Sequence, residues 1–462
     1  MQMKFGIALP AKPRGLQKKQ INQWMGCSNF IWNAKCDEQK YLYTFAKKYL
    51  PIGTHTPVDQ TYAQYKNKEL TPWLYDCPSQ ILRNSATNWY NTYRNFMKGQ
   101  CGVPKRKKKS DSGSVLLTRE LFRFDLCADG VIRLFIGTPT NNIGYLSIKN
   151  YKNYKEPNSI RLKKKYGKYS VSFSYDDIIS GENIITQEEH LDYLKNYTYA
   201  ELDQMTIGID RGVAIPIQAG DSLFDFTYEQ KKKKIAKEKY IKRCQRRLSK
   251  QQKGSTRRQD TKRKISKSFD KIANIRKDFC HKSSRKIVDD ENTKVIILED
   301  LRTNRMTRAP KPKKDENTGK WLKNNRSSKA QLNKSILDKN WHRFETFIIY
   351  KAQRKGKAHF KISAHHTSQE CADCGHTHPN NRKSQMIFCC ESCGHTDNAD
   401  RNAARVIKKR AINLILNSGT ELSKRGVLLD SGRGAVHKTR GSKANRARSE
   451  ESSKEKVQAF AA

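Results

Sequence analysis

The chain has 462 residues, with 92 Lys+Arg against 45 Asp+Glu and a formal net charge of +47. Solubility does not require such an excess; it calls for a polyanion, and nucleic acid held through phosphate contacts and counterion release fits best. Apolar residues make up 36%, enough for cores in two to four domains, and the longest apolar runs are strand-sized, which argues against a membrane-spanning helix.

The amino-terminal MQMKFGIALPAKPRG lacks the apolar stretch of a secretory leader, and a cytoplasmic, nucleoid-associated location is expected. Met3 to Leu9 reads as a short strand. From Leu16 to Leu50, Trp24, Cys27, Phe30, Ile31 and Ala34 recur at threes and fours, which predicts a helix broken by Pro51 to Pro57. Pro78-Ser79 opens a second helix. Leu82, Ser85, Trp89, Tyr93 and Phe96 trace one face of it, and that stripe suits a core better than a base-stacking platform. Past Gly99 to Gly102 comes the basic run Lys105, Arg106, Lys107, Lys108 and Lys109. A solvated charge run and a phosphate-backbone contact fit it equally. Leu116 to about Tyr175 alternates apolar with polar, with a hairpin turn at Tyr166-Gly167 and Arg161, Lys163 and Lys165 on one strand face. The acidic stretch Gln187 to Leu194 reads as a linker or short helix.

Thr206 to Asp210 is a predicted strand placing Gly208 and Asp210 on one face and Ile207 and Ile209 on the other, with Gly212 permitting a tight departure. Lys231 to Val288 reads as two charged antiparallel helices interrupted at Gly254-Ser255, with a cationic face for a nucleic-acid duplex or for solvent. Arg257 and Arg258 are candidate contacts there. A second strand, Thr293 to Glu299, carries Glu299 with Val295 and Ile297, while Asp300 points the other way as a cap or hydrogen-bond acceptor. Ala309 to Ser328 is an expected exposed basic loop, Leu332 to Lys355 a helix, and His359 to Ala364 a strand.

Thr367 to Ala404 carries the densest chemistry. Cys371 and Cys374 form one C-x-x-C knuckle and Cys390 and Cys393 another, spaced to close a tetrahedron round one structural zinc ion. Gly375 and Gly394 follow the knuckles, where the chain must turn back. Cys389 falls out of register, and His376, His378 and His395 are superfluous once four thiolates fill the shell. The other cysteines are scattered, as expected in a reducing compartment. Arg382 lies between the knuckles as another candidate nucleic-acid contact. Asp397 to Ala404, DNADRNAA, then opens a helix continued by Ile407, Ala411, Leu414 and Ile415. From Asn417 onward composition predicts disorder.

GID-x-G at 208–212, ILEDL at 297–301, TSQ-x-C-x-x-CG, C-x-x-CG and NAD-x-NAA occur in that order. The set resembles TnpB, the transposon-encoded RNA-guided DNA nuclease family related to type V CRISPR effectors. The resemblance implies a multidomain α+β chain. A wedge β-barrel (1–14 and 103–195) would carry a helical recognition insertion (15–102). An RNase H-like (RuvC) nuclease domain (203–364 and 396–416) would enclose a zinc ribbon (365–395), and 417–462 would be a disordered basic tail. It implies Asp210, Glu299 and Asp400 as the catalytic set, choosing Asp400 over Asp397. Two Mg2+ ions about 3.5–4 Å apart on such hard oxygens can activate water and neutralise both reacting oxygens of a phosphodiester. It implies a guide RNA (omega RNA), transcribed from the transposon end, as partner, double-stranded target DNA beside a short flanking motif, one site cutting both strands, and a monomer on its RNA.

Rival readings are a miniature type V CRISPR effector, a non-cleaving RNA-guided repressor, a histidine–tyrosine transposase and a structural zinc-ribbon RNA-binding protein. The intact acidic set argues against the repressor. His376-Thr377-His378 has threonine where the transposase needs an apolar residue. For the zinc-ribbon protein, the settings of Asp210 and Glu299 would be coincidence.

Overall fold

The structure is a computed structural model describing residues 4–45, 58–108, 112–126, 131–149, 156–176 and 185–430. The predicted break at 51–57, Lys109, Cys127 and the tail beyond 430 lie outside the described residues. The chain divides into two compact units, residues 1–184 with 238–270, and residues 185–237 with 271–462.

The first unit holds β1 (Lys4–Ala11), α1 (Gly15–Thr44), α2 (Ser79–Met97), β2 (Gly113–Thr118), β3 (Phe122–Leu126), β4 (Val131–Gly137), β5 (Asn142–Lys149), β6 (Ser159–Lys165) and β7 (Lys168–Asp176). The strands form one antiparallel sheet in the order β2-β6-β7-β1-β5-β4-β3. Its edge strands β2 and β3 are consecutive in the chain, joined only by the turn Arg119–Leu121, so the sheet must curl until its edges approach at that corner. The Tyr166-Gly167 turn falls where the sequence places it, both residues at positive φ. The helical segment does not form a core of its own. Trp24, Ile31, Ile81 and Leu82 from the helices bury with Val115, Leu117, Leu146 and Val171 from the sheet in one cluster, because each layer has one apolar face and the two cover each other. The predicted aromatic core position holds at Trp89, fully buried. The first predicted helix ends at Thr44, short of Leu50.

The second unit is built on α3 (Gln187–Leu194), α4 (Tyr199–Met205), β8 (Thr206–Asp210), β9 (Ile217–Ala219), β10 (Ser222–Phe224), α5 (Tyr228–Lys250), α6 (Thr256–Asp289), β11 (Val295–Glu299), α7 (Thr303–Met306), β12 (Lys313–Lys314), β13 (Trp321–Leu322), α8 (Arg326–Lys339), α9 (Trp341–Arg354), β14 (Ala358–Ile362), β15 (Ile387–Cys389), β16 (Thr396–Asn398), α10 (Ala399–Leu416), β17 (Thr420–Leu422) and β18 (Leu428–Asp430). Residues 238–270, from α5 and α6, group with the first unit. The central sheet runs β10-β9-β8-β11-β14, with β8, β11 and β14 parallel and β9 and β10 antiparallel. Both faces are covered. Val295 and Ile297 bury with Ile407, Ala411 and Ile415 of α10, and Ile209, Ile296 and Leu298 bury with Phe279 of α6 and Phe344 and Ile348 of α9. Parallel strands buried on both sides read as continuous apolar runs, which accounts for VIILE.

Three expectations change here. The helix expected over Leu332 to Lys355 is two helices, α8 and α9, because Asn340 takes a left-handed conformation (φ 62°) that asparagine tolerates better than most residues. The loop from Ala309 to Ser328 contains the small ladder β12–β13. Residues 417–430 are ordered, not a disordered tail: β17 pairs with β18, Leu428 joins the core, and the Lys361 N–H donates to the Gly426 carbonyl (2.8 Å).

Candidate active site

Asp210 and Glu299 end neighbouring parallel strands, one step past the pair Ile209↔Leu298. Strand alternation sends both to the face covered by α10. That helix comes unusually close to β8: a Cβ on Gly208 would sit 2.2 Å from the Ala404 carbonyl oxygen and 2.8 Å from the Lys408 nitrogen. The glycine and the small Ala403 and Ala404 thus let helix and strand nearly touch, which brings the first turn of α10, with Asp400, to the ends of β8 and β11. Asn398 caps that turn, its Oδ1 accepting from the N–H groups of Asp400 (3.0 Å) and Arg401 (3.2 Å), an arrangement that also favours an acidic residue there. Asp400 Oδ2 lies 3.7 Å from where a Gly212 Cβ would stand, and the Ile215 carbonyl lies only 2.6 Å from that point.

The cluster is strongly acidic and mostly buried, with Asp210 half-buried. Glu299 is 5% exposed and Asp400 4%. Burial, aided by the Glu299 and Asp400 charges, pushes the Asp210 carboxyl up to about 8, against the opposing Arg211 N–H (2.8 Å to Oδ1) and the more distant Arg382. Burial also raises Glu299, opposed by the Thr367 hydroxyl, the Arg211 guanidinium and a hydrogen bond with Asp210. Asp400 is raised by burial, with Arg382 opposing through an Nη2 3.5 Å from Oδ1. Desolvated carboxylates crowded together with so little compensating charge, all hard oxygen donors, fit a divalent cation. The three stand further apart as a set than one tight shell: among the described residues, only the four cysteines bring three or more such ligand atoms within 4.8 Å of one another. Two ions about 3.5–4 Å apart need the wider spacing. Asp397 is drawn away instead, paired with Arg401 and Arg405, and Asp300 pairs with Arg302 and Arg425.

Residues missed in the sequence hold this cluster in place. Arg211, 3% exposed, donates through Nη2 to the Glu299 backbone carbonyl and through Nη1 to Glu345 (2.9 Å), which Lys361 also pairs. Burial alone would raise Glu345, but Arg211 and Lys361 outweigh it and hold the carboxyl below its usual range. Thr367 Oγ1 donates to Glu299 Oε1 (2.6 Å). The only sequence signal for either was its place inside a motif.

The knuckles come together as predicted. Cys371 and Cys393 sulfurs are 3.7 Å apart and Cys374 and Cys390 3.6 Å, close to the edges of about 3.8 Å in a tetrahedron with Zn–S near 2.3 Å. Each knuckle repeats one turn: the Gly375 N–H donates to Cys371 (3.0 Å) and the Gly394 N–H to Cys390 (3.1 Å), both glycines at positive φ (75° and 72°). His378 pairs with Glu391 and His395 with Asp373, so the histidines stand outside the sulfur set. Buried Asn402 joins module to helix, its Oδ1 accepting from the Ala372 N–H (2.9 Å) and its Nδ2 donating to the Glu370 carbonyl (2.7 Å).

Of the basic residues singled out, Lys105, Lys108 and Arg257 are exposed, Arg106 pairs with Asp37, and Lys107 lies over the Trp32 ring (3.9 Å). Arg258 differs from expectation: its guanidinium donates to the carbonyls of Leu248 and Gln251, closing the turn between α5 and α6, because a helix end leaves carbonyls without partners.

Two family profiles match, "Probable transposase" over residues 185–309 and "Cas12f1-like, TNB domain" over 341–407. Over 405 residues the chain is 28% identical to the "Putative RNA-guided DNA endonuclease InsQ" of Escherichia coli K12, covering 86% of this chain and 89% of that one. The chain is thus similar, over nearly its whole length, to a protein named as an RNA-guided DNA endonuclease. A CRISPR-associated endodeoxyribonuclease, Cas12f1 of Sulfoacidibacillus thermotolerans, is 36% identical over 143 residues, 30% of this chain and 28% of its own. The fold matches a chain of a Cas12f1–sgRNA–target DNA complex with a TM-score of 0.53 at 12% identity, covering 88% of this chain and 99% of that one. No described helix is long and apolar enough to cross a membrane.

Proposed function

We propose that the protein is an RNA-guided DNA endonuclease that hydrolyses phosphodiester bonds at Asp210, Glu299 and Asp400 with Mg2+. The observation that carries this reading is the meeting of those three carboxyls, Glu299 and Asp400 buried and Asp210 half-buried, at the ends of β8, β11 and the start of α10, each raised by burial and Asp210 by its acidic neighbours as well. Similarity to a protein named as an RNA-guided DNA endonuclease and the charge of +47 support a nucleic-acid substrate. In this reading the second unit is an RNase H-like (RuvC) domain and residues 365–395 its zinc ribbon, held by Cys371, Cys374, Cys390 and Cys393. The curled sheet of the first unit is the wedge barrel, carrying α1 and α2 as the recognition insertion.

When bound, a pair of Mg2+ ions supplies an activated water and neutralises the oxygens that gain charge in the displacement. The chain's own part is positional. Asp210 and Glu299 present oxygens from adjacent strand ends, Asp400 presents one from a helix start, and burial keeps competing water away. Arg382, beside Asp400, is placed to meet a phosphate. Lys105, Arg106, Lys107, Lys108 and Arg257 would hold the nucleic-acid backbone by charge, while base pairing to an omega-type guide RNA reads sequence. The protein would act in the cytoplasm as a monomer on its RNA, cutting both strands of a target beside a short flanking motif with one site.

The test is Asp210→Ala in the protein purified with its co-expressed RNA. Cleavage of a matched plasmid should vanish while guided binding to the same DNA persists; residual cutting, or loss of binding along with cutting, would refute the assignment.

A further inference from the structure

We propose that Thr367 is a positioning residue for Glu299, and that through it the zinc-bearing segment sets the affinity of the carboxylate cluster for a divalent cation. The inference rests on reading Asp210, Glu299 and Asp400 as the cation-binding set. Glu299 carries three side-chain torsions and ends its strand, so burial alone does not fix where its oxygens point. Arg211 fixes its backbone carbonyl. Among the described residues, the Thr367 hydroxyl, 2.6 Å from Oε1 and 68 positions away in sequence, is what fixes that oxygen.

The hydroxyl has one proton to give. Its alternative acceptor, the Ala364 carbonyl, is 3.5 Å away, well beyond the roughly 2.7–2.8 Å of a good O–H···O bond. The proton therefore belongs to Glu299, leaving Oε2 to turn toward Asp210 and a cation. Thr367 is itself fixed. It is 4% exposed, and its β-branched side chain has little torsional freedom. The chain just beyond it is pinned to α10 by Asn402, at Glu370 and Ala372, and by Arg410 on the Glu370 carboxylate (2.8 Å). Four residues on, Cys371 enters the sulfur cluster. One short segment thus ties the sulfur tetrahedron, the helix bearing Asp400 and the Glu299 side chain together. Groups that orient a metal-binding carboxylate through one hydrogen bond are commonly worth ten- to a hundredfold in metal affinity.

The test compares the full-length wild type with Thr367→Val, which keeps the shape and removes the hydroxyl, and Thr367→Ser, which keeps the hydroxyl. Mn2+ binding to the RNA-free protein is measured by calorimetry, with Asp210→Ala as the blank, and cleavage by the RNA-loaded protein is measured against Mg2+ concentration. Valine should weaken Mn2+ binding and raise the half-maximal Mg2+ by about ten- to a hundredfold, at unchanged zinc content and with the maximal rate less affected; serine should stay within about threefold of wild type. Equal Mn2+ affinity in the valine protein and the wild type would overturn the inference. So would loss of zinc or of cooperative melting in the valine protein alone, which would make the hydroxyl a folding group. A wild type with no Mn2+ site that Asp210→Ala abolishes would refute the cation-site reading itself, and this inference with it.

Discussion

Gly208→Ala puts the geometry of the site to a direct test. The new Cβ would stand 2.2 Å from the Ala404 carbonyl oxygen, where ordinary contact begins at 3.4 Å. The obstacle is helix backbone, so no rotamer change relieves it, and α10 must withdraw by about 1 Å to restore normal contact. Asp400 lies one turn before Ala404 on the same helix and moves with it. Overpacking of this kind costs about 1–3 kcal/mol, which lowers the melting temperature of a unit this size by several degrees, while a displacement of about 1 Å at a reacting group costs on the order of 10²-fold in rate. The assay is single-turnover cleavage of a matched duplex at saturating Mg2+, alongside calorimetric melting. Gly26→Ala, at a helix position with nothing within 4 Å of the added carbon, is the control and should cleave as the wild type does. A Gly208→Ala protein with wild-type rate and melting temperature would show that the approach of α10 to β8 does not set the position of Asp400.

Cys371→Ser should abolish stoichiometric zinc and leave residues near the knuckles open to proteolysis, measured by metal analysis and limited digestion; a zinc-free, protease-resistant and active product would refute the structural role of the ion. His359, buried on β14, is pushed down from 6.5 to about 4 by burial, with His190 and Lys361 adding to the effect. Its folded form resists protonation, so this contribution to stability is intact above about pH 6.5 and is lost as the pH falls from there toward 4, by about 3 kcal/mol in all. Urea denaturation at pH 7.5 and 4.5 should therefore show a smaller acid loss in His359→Leu than in the wild type, and an equal loss in both would refute the assignment.

What the sequence made legible follows from the range of each interaction. Period-two alternation in MTIGID and VIILE sorts each strand's residues to their observed faces, and knuckle spacing brings the four sulfurs together, because both depend on residues close in the chain. The left-handed Asn340 that splits α8 from α9 leaves the apolar spacing intact, so nothing local marks the break. The hairpin at 417–430 is too short for a period to emerge, and Leu428 reveals its burial only once the core it enters is known. Arg211, Glu345 and Thr367 are harder still, since their roles lie in bonds crossing 134, 88 and 68 positions.

The motif letters themselves take on a physical meaning when these long contacts are added. In NAD-x-NAA, Asn398 caps the helix, Asp400 faces the strand ends, Asn402 locks the turn to the first knuckle, and Ala403 and Ala404 keep the helix thin enough to meet Gly208. In GID-x-G, Gly208 admits that helix and Gly212 admits the Ile215 carbonyl, 2.6 Å from where its Cβ would stand. The two motifs are the halves of one packed joint, and neither can place its carboxylate without the other. The third carboxylate enters from between them, where Arg211 holds the Glu299 backbone and Thr367 its side chain. A substitution that preserves every acidic group but loosens this joint should therefore slow cleavage on the order of 10²-fold, as expected for Gly208→Ala.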